Sequence, residues 1–445
     1  MSLKKLYSRA GRLLLLLAIC AVVTAQTDEQ PFLLQEAVRR AAQESPSVKA
    51  ARHRWQAARQ GKTIALSLPD PRLSYTDFLR SVETRTGPQR YSLALSQSLP
   101  FPSKLITSGR MAEREEQIAY LSYQAAMRDA VARAKELYFE LYYIDRAQQV
   151  SQAVLEIYTR YAQLALGGEE GQAVHLADRF RAETQAAQLG YDLMLLQEMR
   201  RSEADRLRAV LALGADRALG PTQQVRPPLP LGTPVSQLQD VAAAYNQELK
   251  AAGLEVERAR LASSLARQSY IPDLTFSANY INVGPALNPS TPDAGRDPFG
   301  LGVGISIPLW FWKNRAHTRR AKEEEMAAQA EQEARRLNLR AEVSRAYFQL
   351  VNAARLTRLY NDTLLPQARQ AQQSAEQLYR SGQAPLASLL ETAATYHNFE
   401  LAQLRATADY YQAVARLERL LGRAFHPQAS NLSGAEGGNE AKDER

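Results

Sequence analysis

The sequence predicts a mainly α-helical chain in which two tandem repeats each carry one membrane-type β-hairpin and one long helical hairpin. Three observations support that fold class. The same short motifs occur in the same order in both halves of the 445 residues. In each half the apolar period changes from 3.6 to 2 and then back to 3.6. The second helical stretch of each half, from about Ser103 to Leu166 and from about Lys313 to Arg380, far exceeds an ordinary globular helix. Composition sets the outer bounds. With 45% hydrophobic and 23% charged residues, a wholly disordered, collagen-like or all-helical multi-pass membrane chain is excluded.

The chain opens on a leader. Lys4, Lys5, Arg9 and Arg12 precede an apolar run from Leu13 to Val23 and the small-residue sequence Val23-Thr24-Ala25. This is the layout of a secretory signal peptide, residues 1–25, cleaved after Ala25. The run is short of the ~20 residues a spanning helix needs, and no later segment is continuously apolar over ~18. An exported chain of this kind is periplasmic, secreted or embedded in an outer membrane as a β-barrel. Cys20 is the single cysteine. It is either removed with the leader or, because Leu17-Ala18-Ile19-Cys20 approaches a lipoprotein signal, acylated. One cysteine excludes a disulfide framework and any multi-cysteine metal site. Setting the four leader cations aside lowers the formal charge from +8 to +4, which does not call for a nucleic-acid partner.

The repeats align by their motifs. Val48-Lys49-Ala50-Ala51 answers to Leu249-Lys250-Ala251-Ala252, Leu68-Pro69-Asp70 to Ile271-Pro272-Asp273, Leu99-Pro100 to Ile307-Pro308, and Tyr138-Phe139-Glu140-Leu141 to Tyr347-Phe348-Gln349-Leu350. Each half closes on Leu-Gly, at Leu213-Gly214 and Leu421-Gly422. The expected first repeat covers 26–219 and the second 237–427. Between them the proline-rich stretch 220–236 reads as an extended connector. Residues 428–445 are poor in apolar side chains and read as a disordered tail.

Within each repeat a helix, about Leu34 to Ser67 and Leu238 to Ser269, leads to a β-hairpin at about 71–99 and 273–309. Phe299, Leu301, Val303, Ile305 and Ile307 alternate with Gly300, Gly302, Gly304 and Ser306. Leu274, Phe276, Ala278 and Tyr280 oppose Thr275, Ser277 and Asn279. In the first repeat Leu73 and Tyr75 oppose Ser74 and Thr76, while Tyr91, Leu93, Leu95 and Leu99, broken by Gln97, oppose Ser92, Ala94, Ser96 and Ser98. The sheet of a water-soluble protein turns Lys, Glu and Arg to solvent. A small, weakly polar face opposite a large apolar one suits a membrane barrel, with Leu93, Leu95, Phe276, Leu301, Val303 and Ile305 expected to face lipid. Tyr91, Tyr280, Phe299 and Trp310 fit interfacial girdles. Four strands cannot enclose a lumen, so their edges require other copies of the chain.

The helical hairpins follow at about 103–213 and 313–421. At 1.5 Å per residue the long first helix of each reaches roughly 100 Å. Ala134, Leu137, Leu141 and Ile144, and in the same register Val343, Ala346, Leu350 and Ala353, recur at spacings of 3 and 4, the seam of a coiled coil. The helices turn at Gly167-Gly168-Glu169-Glu170-Gly171 and Ser381-Gly382-Gln383, where left-handed backbone is inexpensive.

The order helix, β-hairpin, long helical hairpin, repeated behind a signal peptide, resembles the TolC-like family of outer-membrane efflux and secretion channels. The resemblance covers about Gln30 to Arg423. It implies a homotrimer whose protomers each give four strands to one 12-stranded outer-membrane β-barrel. Their helices form a periplasmic α-barrel that docks a periplasmic adaptor and an inner-membrane pump. The tips Gly167, Gly168, Gly171, Ser381 and Gly382 are then the expected adaptor contacts. Glu391 falls on one acidic position of the family's tunnel entrance, Ser388 occupies another, and Asp178 stands one residue out of register in the first hairpin. Both carboxylates read either as gate residues or as ordinary helix pairing residues. A carboxylate repeated about a threefold axis favours cations.

Leu68-Pro69-Asp70-Pro71, Val82-Glu83-Thr84-Arg85-Thr86-Gly87-Pro88-Gln89 and Gln97-Ser98-Leu99-Pro100-Phe101-Pro102-Ser103-Lys104-Leu105 are similar to outer-membrane components of heavy-metal efflux systems of the Cus and Czc type. The residues themselves suggest no metal site. His53, His175, His317, His397 and His426 are scattered, and Met194 and Met199 are off same-face spacing. No catalytic constellation, cofactor motif or phosphate loop stands out. The expected function is passive export through an outer-membrane duct of a tripartite system, of heavy-metal cations if the finer resemblance applies. The alternatives are a protein-secretion duct and a cell-envelope helical spacer anchored through Cys20.

Overall fold

The computed structural model describes residues 31–164, 172–226, 232–288 and 290–425. The leader with Cys20, the tip glycines Gly167, Gly168 and Gly171, and the 428–445 tail lie outside the described residues. The chain divides into two compact units, one of residues 1–40, 134–228 and 353–411, the other of 41–133, 229–352 and 412–445. Neither coincides with a repeat, because equivalent elements of the two halves pack side by side.

The elements run α1 (Leu34–Glu44), α2 (Pro46–Leu66), β1 (Arg72–Asp77), β2 (Glu83–Thr84), β3 (Gly87–Leu99), α3 (Pro102–Leu164), α4 (Gln172–Leu211), α5 (Val235–Tyr245), α6 (Gln247–Arg267), β4 (Leu274–Val283), β5 (Phe299–Ile305), α7 (Phe311–Leu359), α8 (Leu365–Arg380) and α9 (Leu386–Leu421). Three helical expectations need correction. The leading helix of each repeat is two helices, broken at Ser45 and at Asn246, which occupy equivalent repeat positions. Pro46 starts α2, as its missing N–H favours. Asn246 caps α6 by accepting from Leu249 N at 2.9 Å. The long helix of the second repeat is interrupted by a π-helical turn, Tyr360–Leu364, with Leu365 between it and Pro366. A proline there cannot donate to the helix ladder, and the widened turn absorbs its ring. Finally, α4 ends at Leu211 rather than Leu213, with Ala212 in the left-handed region at φ 52°.

In the first unit the interior follows the expected seam. Ala134, Leu137, Leu141 and Ile144 are buried, and the chain's entry and connector are tied to the same helix. Phe32 N donates to Pro221 O at 3.0 Å. Tyr138 Oη donates to Phe32 O at 3.0 Å and accepts from Gln223 N at 3.1 Å. Asp145 is buried and fully engaged. Its Oδ1 accepts from Arg200 Nε at 2.7 Å, and its Oδ2 accepts from Thr222 N and Oγ1, both at 2.8 Å. Arg200 Nη2 also donates to Leu219 O and Gly220 O. One carboxylate thus joins α3, α4 and the connector.

In the second unit Val343, Ala346 and Leu350 are buried on α7, and α9 ends against the start of α6. Asn246 Nδ2 donates to Leu420 O at 3.0 Å and Gln247 Nε2 to Gly422 O at 3.1 Å. Gly422 has φ +70°, and a Cβ there would meet Tyr245 O at 2.5 Å. Only glycine fits that close approach. The same unit holds the sheet, in the order β1-β3-β4-β5 with β2 on β3, all pairs antiparallel. The hairpins of the two repeats form one sheet through β3 and β4.

Candidate functional site

The register gives the sheet two unlike faces. Leu73 lies opposite Leu95 and Tyr75 opposite Leu93, and Leu93 in turn opposite Tyr280. Phe276 lies opposite Val303, Ala278 opposite Leu301 and Leu274 opposite Ile305. One face is therefore dominated by large apolar side chains across all four long strands, interrupted by Gln97, by the small Ala278 and, at the end of β1, by Asp77. Leu93, Leu95, Phe276, Leu301, Val303 and Ile305 share it, with exposures from 37% at Leu93 to 79% at Leu301. Gln97 turns its amide to Pro69 O at 2.6 Å and Ser98 O at 2.9 Å, so its donors are satisfied. The opposite face holds Ser74, Ser92, Ala94, Ser96, Thr275, Ser277, Asn279, Gly300, Gly302 and Gly304. Strands β1 and β5 are edges without a partner strand among the described residues.

Both ends of the sheet are pinned. Where the strands meet the helices, Asp273 Oδ1 accepts from Phe101 N at 2.9 Å and from Lys104 Nζ at 2.8 Å, and Lys104 also donates to Ile271 O at 2.7 Å. Burial would raise the Asp273 carboxyl, but the Lys104 ammonium and the Phe101 N–H outweigh it and hold the group below the usual carboxylate range. At the far end the loops of the two repeats interlock. Gly284 N donates to Pro88 O at 2.8 Å and Gly295 N to Thr86 O at 2.7 Å. The Tyr280 hydroxyl donates to Asp297, and Val283 N donates to the same carboxylate at 2.7 Å. These bonds depress the Asp297 pKa.

The helical tips are described on the second repeat. Gln383 N donates to Leu378 O at 2.8 Å and Gly382 N to Tyr379 O at 3.0 Å, with Gly382 at φ +72°. This is a Schellman motif, and it satisfies the last carbonyls of α8. Ser381 caps the same turn through its hydroxyl to Leu378 O at 3.0 Å. Beneath it, Val154, Tyr158 and Tyr161 of α3 pack with Ala182 and Leu189 of α4 and with Leu386, Leu389 and Leu390 of α9. The two candidate carboxylates differ in placement. Asp178 is 7% exposed and lies 3.5 Å from Arg181, while Glu391 is exposed. Burial, and then the charge of Asp178, raise the Tyr379 phenol. Asp178 is thereby a packed residue, and Glu391 alone of the pair is open to solvent.

Residues 238–423 match the family model described as outer membrane efflux protein. That match spans the second repeat. The whole chain is 22% identical over 395 residues to the cobalt-zinc-cadmium resistance protein CzcC of Cupriavidus metallidurans, covering 88% of this chain and 90% of that relative. Its fold matches the outer membrane protein VceC of Vibrio cholerae with a TM-score of 0.72 at 20% identity, over 88% of this chain and 97% of that one. It also matches CusC, described by its conformational changes on folding and transmembrane channel formation, with a TM-score of 0.69 at 15% identity over 88% and 92% of the two chains. The fold is that of solved outer-membrane channels, and the resemblance to TolC-like channels holds across both repeats. The efflux family is one of channel proteins.

Among the described residues no three of His, Cys, Asp and Glu gather as metal ligands, and no helix is long and apolar enough to cross a membrane. His397 is buried, its Nε2 3.4 Å from Ser151 Oγ and its Nδ1 without a partner among the described residues. Sequence reasoning missed Asp145, Arg200, Thr222, Lys104 and Asp273, all polar residues at contacts distant in sequence. Only Asp273 had a local cue, its repeat of the Pro-Asp dipeptide at Pro69-Asp70.

Proposed function

We propose that this chain is the outer-membrane channel of a tripartite efflux system, a passive duct assembled from three copies. The observation that carries the reading is the sheet whose four long strands share one exposed, largely apolar face and end in two edges without a partner strand among the described residues. Such a face is stable only against lipid or another apolar surface, and such edges only against further strands. Three copies supply twelve strands, enough to enclose a lumen. Leu93, Leu95, Phe276, Leu301, Val303 and Ile305 then face the hydrocarbon, and the Gly, Ser and Thr face lines the water-filled bore. The long helices continue from Pro102 and Phe311 into the periplasm. The turn at Ser381 and Gly382 meets the adaptor of an inner-membrane pump.

Glu391 is the carboxylate assigned to the entrance. Repeated by threefold symmetry it concentrates cations there. Asp178 shapes the entrance by packing rather than by charge. A heavy-metal cation is the cargo that the likeness to a cobalt-zinc-cadmium resistance protein supports. Selection of that cargo rests with the pump and adaptor, since a duct need not bind what passes through it.

Metal tolerance tests the reading. Deleting the gene should lower growth tolerance to cobalt, zinc or cadmium, and the wild-type chain should restore it where Leu301→Arg does not. Unchanged tolerance to all three metals would remove them as cargo, and restoration by Leu301→Arg would contradict the barrel.

A further inference from the structure

The channel reading, on which this inference rests, leaves unexplained a run of cations directly beyond the apolar sheet. After β5 the exposed apolar surface continues without a break. Ile307, Leu309, Trp310, Phe311 and Trp312 are each at least 60% exposed, and the two indoles meet edge-on at 5.1 Å. Tryptophan favours the boundary between hydrocarbon and headgroups. From Pro298 to Lys322 the chain has no acidic residue, but it carries Lys313, Arg315, His317, Arg319, Arg320 and Lys322. Arg320 is paired with Glu324 and Lys322 with Glu325. Lys313, Arg315 and Arg319 are exposed and have no ion pair among the described residues.

Beside this run lies a cleft of about 480 Å³ between α6 and α7. Ala262, Leu265 and Ala266 line it on the apolar side, together with Lys313, His317, Arg320 and Glu324, of which Arg320 and Glu324 pair with each other. The first repeat carries only part of the feature. In the first three turns of α3, Lys104 is held by Asp273, and Arg110, at the position equivalent to Arg319, is the one exposed cation without an ion pair among the described residues.

We propose that the start of α7 is a docking surface for the anionic phospholipid headgroups of the leaflet next to the helical end of the barrel. The aromatic run sets the depth of the chain in that leaflet. The three unneutralised cations lie within three turns of it, at the level of the phosphates, and their charge favours phosphatidylglycerol over a zwitterionic lipid. The cleft takes a phosphate at Lys313 and glycerol carbons against its alanine and leucine wall. The contact fixes the height and tilt of the channel and is strongest on the second repeat of each copy.

The test uses the purified, full-length mature channel reconstituted in bilayers of phosphatidylcholine with or without phosphatidylglycerol, with retained lipid counted by native mass spectrometry. The wild type should retain phosphatidylglycerol in preference, and high salt should weaken the preference. At about fivefold per cation, Lys313→Ala with Arg315→Ala and Arg319→Ala should lower it on the order of a hundredfold. Arg315→Lys with Arg319→Lys should keep it, as should Arg52→Ala with Arg54→Ala on α2. A wild type that inserts in phosphatidylcholine but shows no preference overturns the proposal while leaving the channel reading intact. So does a triple variant that keeps the preference. A triple variant that no longer forms the wild-type oligomer overturns it by assigning these residues to contacts between copies. A wild type that enters no bilayer overturns both readings.

Discussion

Asp145 shows how much one residue can hold. Its carboxylate is buried, and its two oxygens satisfy Arg200 on α4 and both donors of Thr222 in the connector. Asp145→Ala leaves the guanidinium and the Thr222 N–H without their partner in a largely dry site, and should cost about 3 kcal/mol of stability. Denaturant unfolding of the purified protein measures it, and a loss below about 1 kcal/mol would mean that the connector is held elsewhere. His397 makes a pH-dependent contribution. Burial pushes its imidazole below the ordinary value, against the pull of the Asp192 carboxylate. The folded state therefore binds its proton less readily than the unfolded chain. The stability this gives is complete above the unfolded value of about 6.5 and is lost as pH falls through the lowered one. Acidification from pH 7.5 to 5.5 should lower the unfolding midpoint, and His397→Gln should flatten that dependence. An equal slope in the variant would assign the acid sensitivity to other groups. None of these residues announced its role in the sequence, because Asp145 meets partners 55 and 77 positions away and no periodicity records such contacts.

At the scale of the element, the strands were legible and their neighbours were not. Alternation is a property of consecutive residues, so the two faces of Phe299 to Ile305 can be read from the sequence alone. Which strand lies beside it is a long-range fact, and the pairing of β3 with β4, which makes one sheet of two hairpins, had no local signal. The helix breaks at Ser45 and Asn246 had one. Ser-Pro and a capping Asn are start signals, but they fall inside a strong 3.6-residue pattern that masks a single turn of irregular backbone. The face assignment carries its own prediction. Leu301→Arg places a charge in the middle of the exposed apolar face, and against lipid it should cost about 2–4 kcal/mol. Yield of the assembled oligomer from membranes is the readout. Ser277→Arg on the opposite face, also a large cation, should be tolerated better. Equal yields from the two variants would erase the distinction between the faces.

At the scale of the whole molecule, the sheet ends in two edges and exposes its apolar face among the described residues. Helices that begin at the sheet run on for 63 residues in α3 and 49 in α7. In the proposed channel, association about a threefold axis would pair the edges, wet the small-residue face and lengthen the bore through the helices, and export would follow from that geometry. Glu391 is the residue through which this arrangement would sense charge, and Glu391→Ala should reduce cation selectivity without changing oligomer yield. Selectivity unchanged in the variant would return Glu391 to the ordinary solvated surface of α9.

The central claim is that this chain forms a trimeric, water-filled outer-membrane duct. Planar-bilayer conductance of the detergent-purified mature protein, with the oligomer mass determined on the same sample, tests it most directly. The account predicts stable trimers and discrete, cation-preferring current steps. A water-soluble monomer that passes no current would contradict it, since the apolar face and the free edges would then be satisfied in some other way.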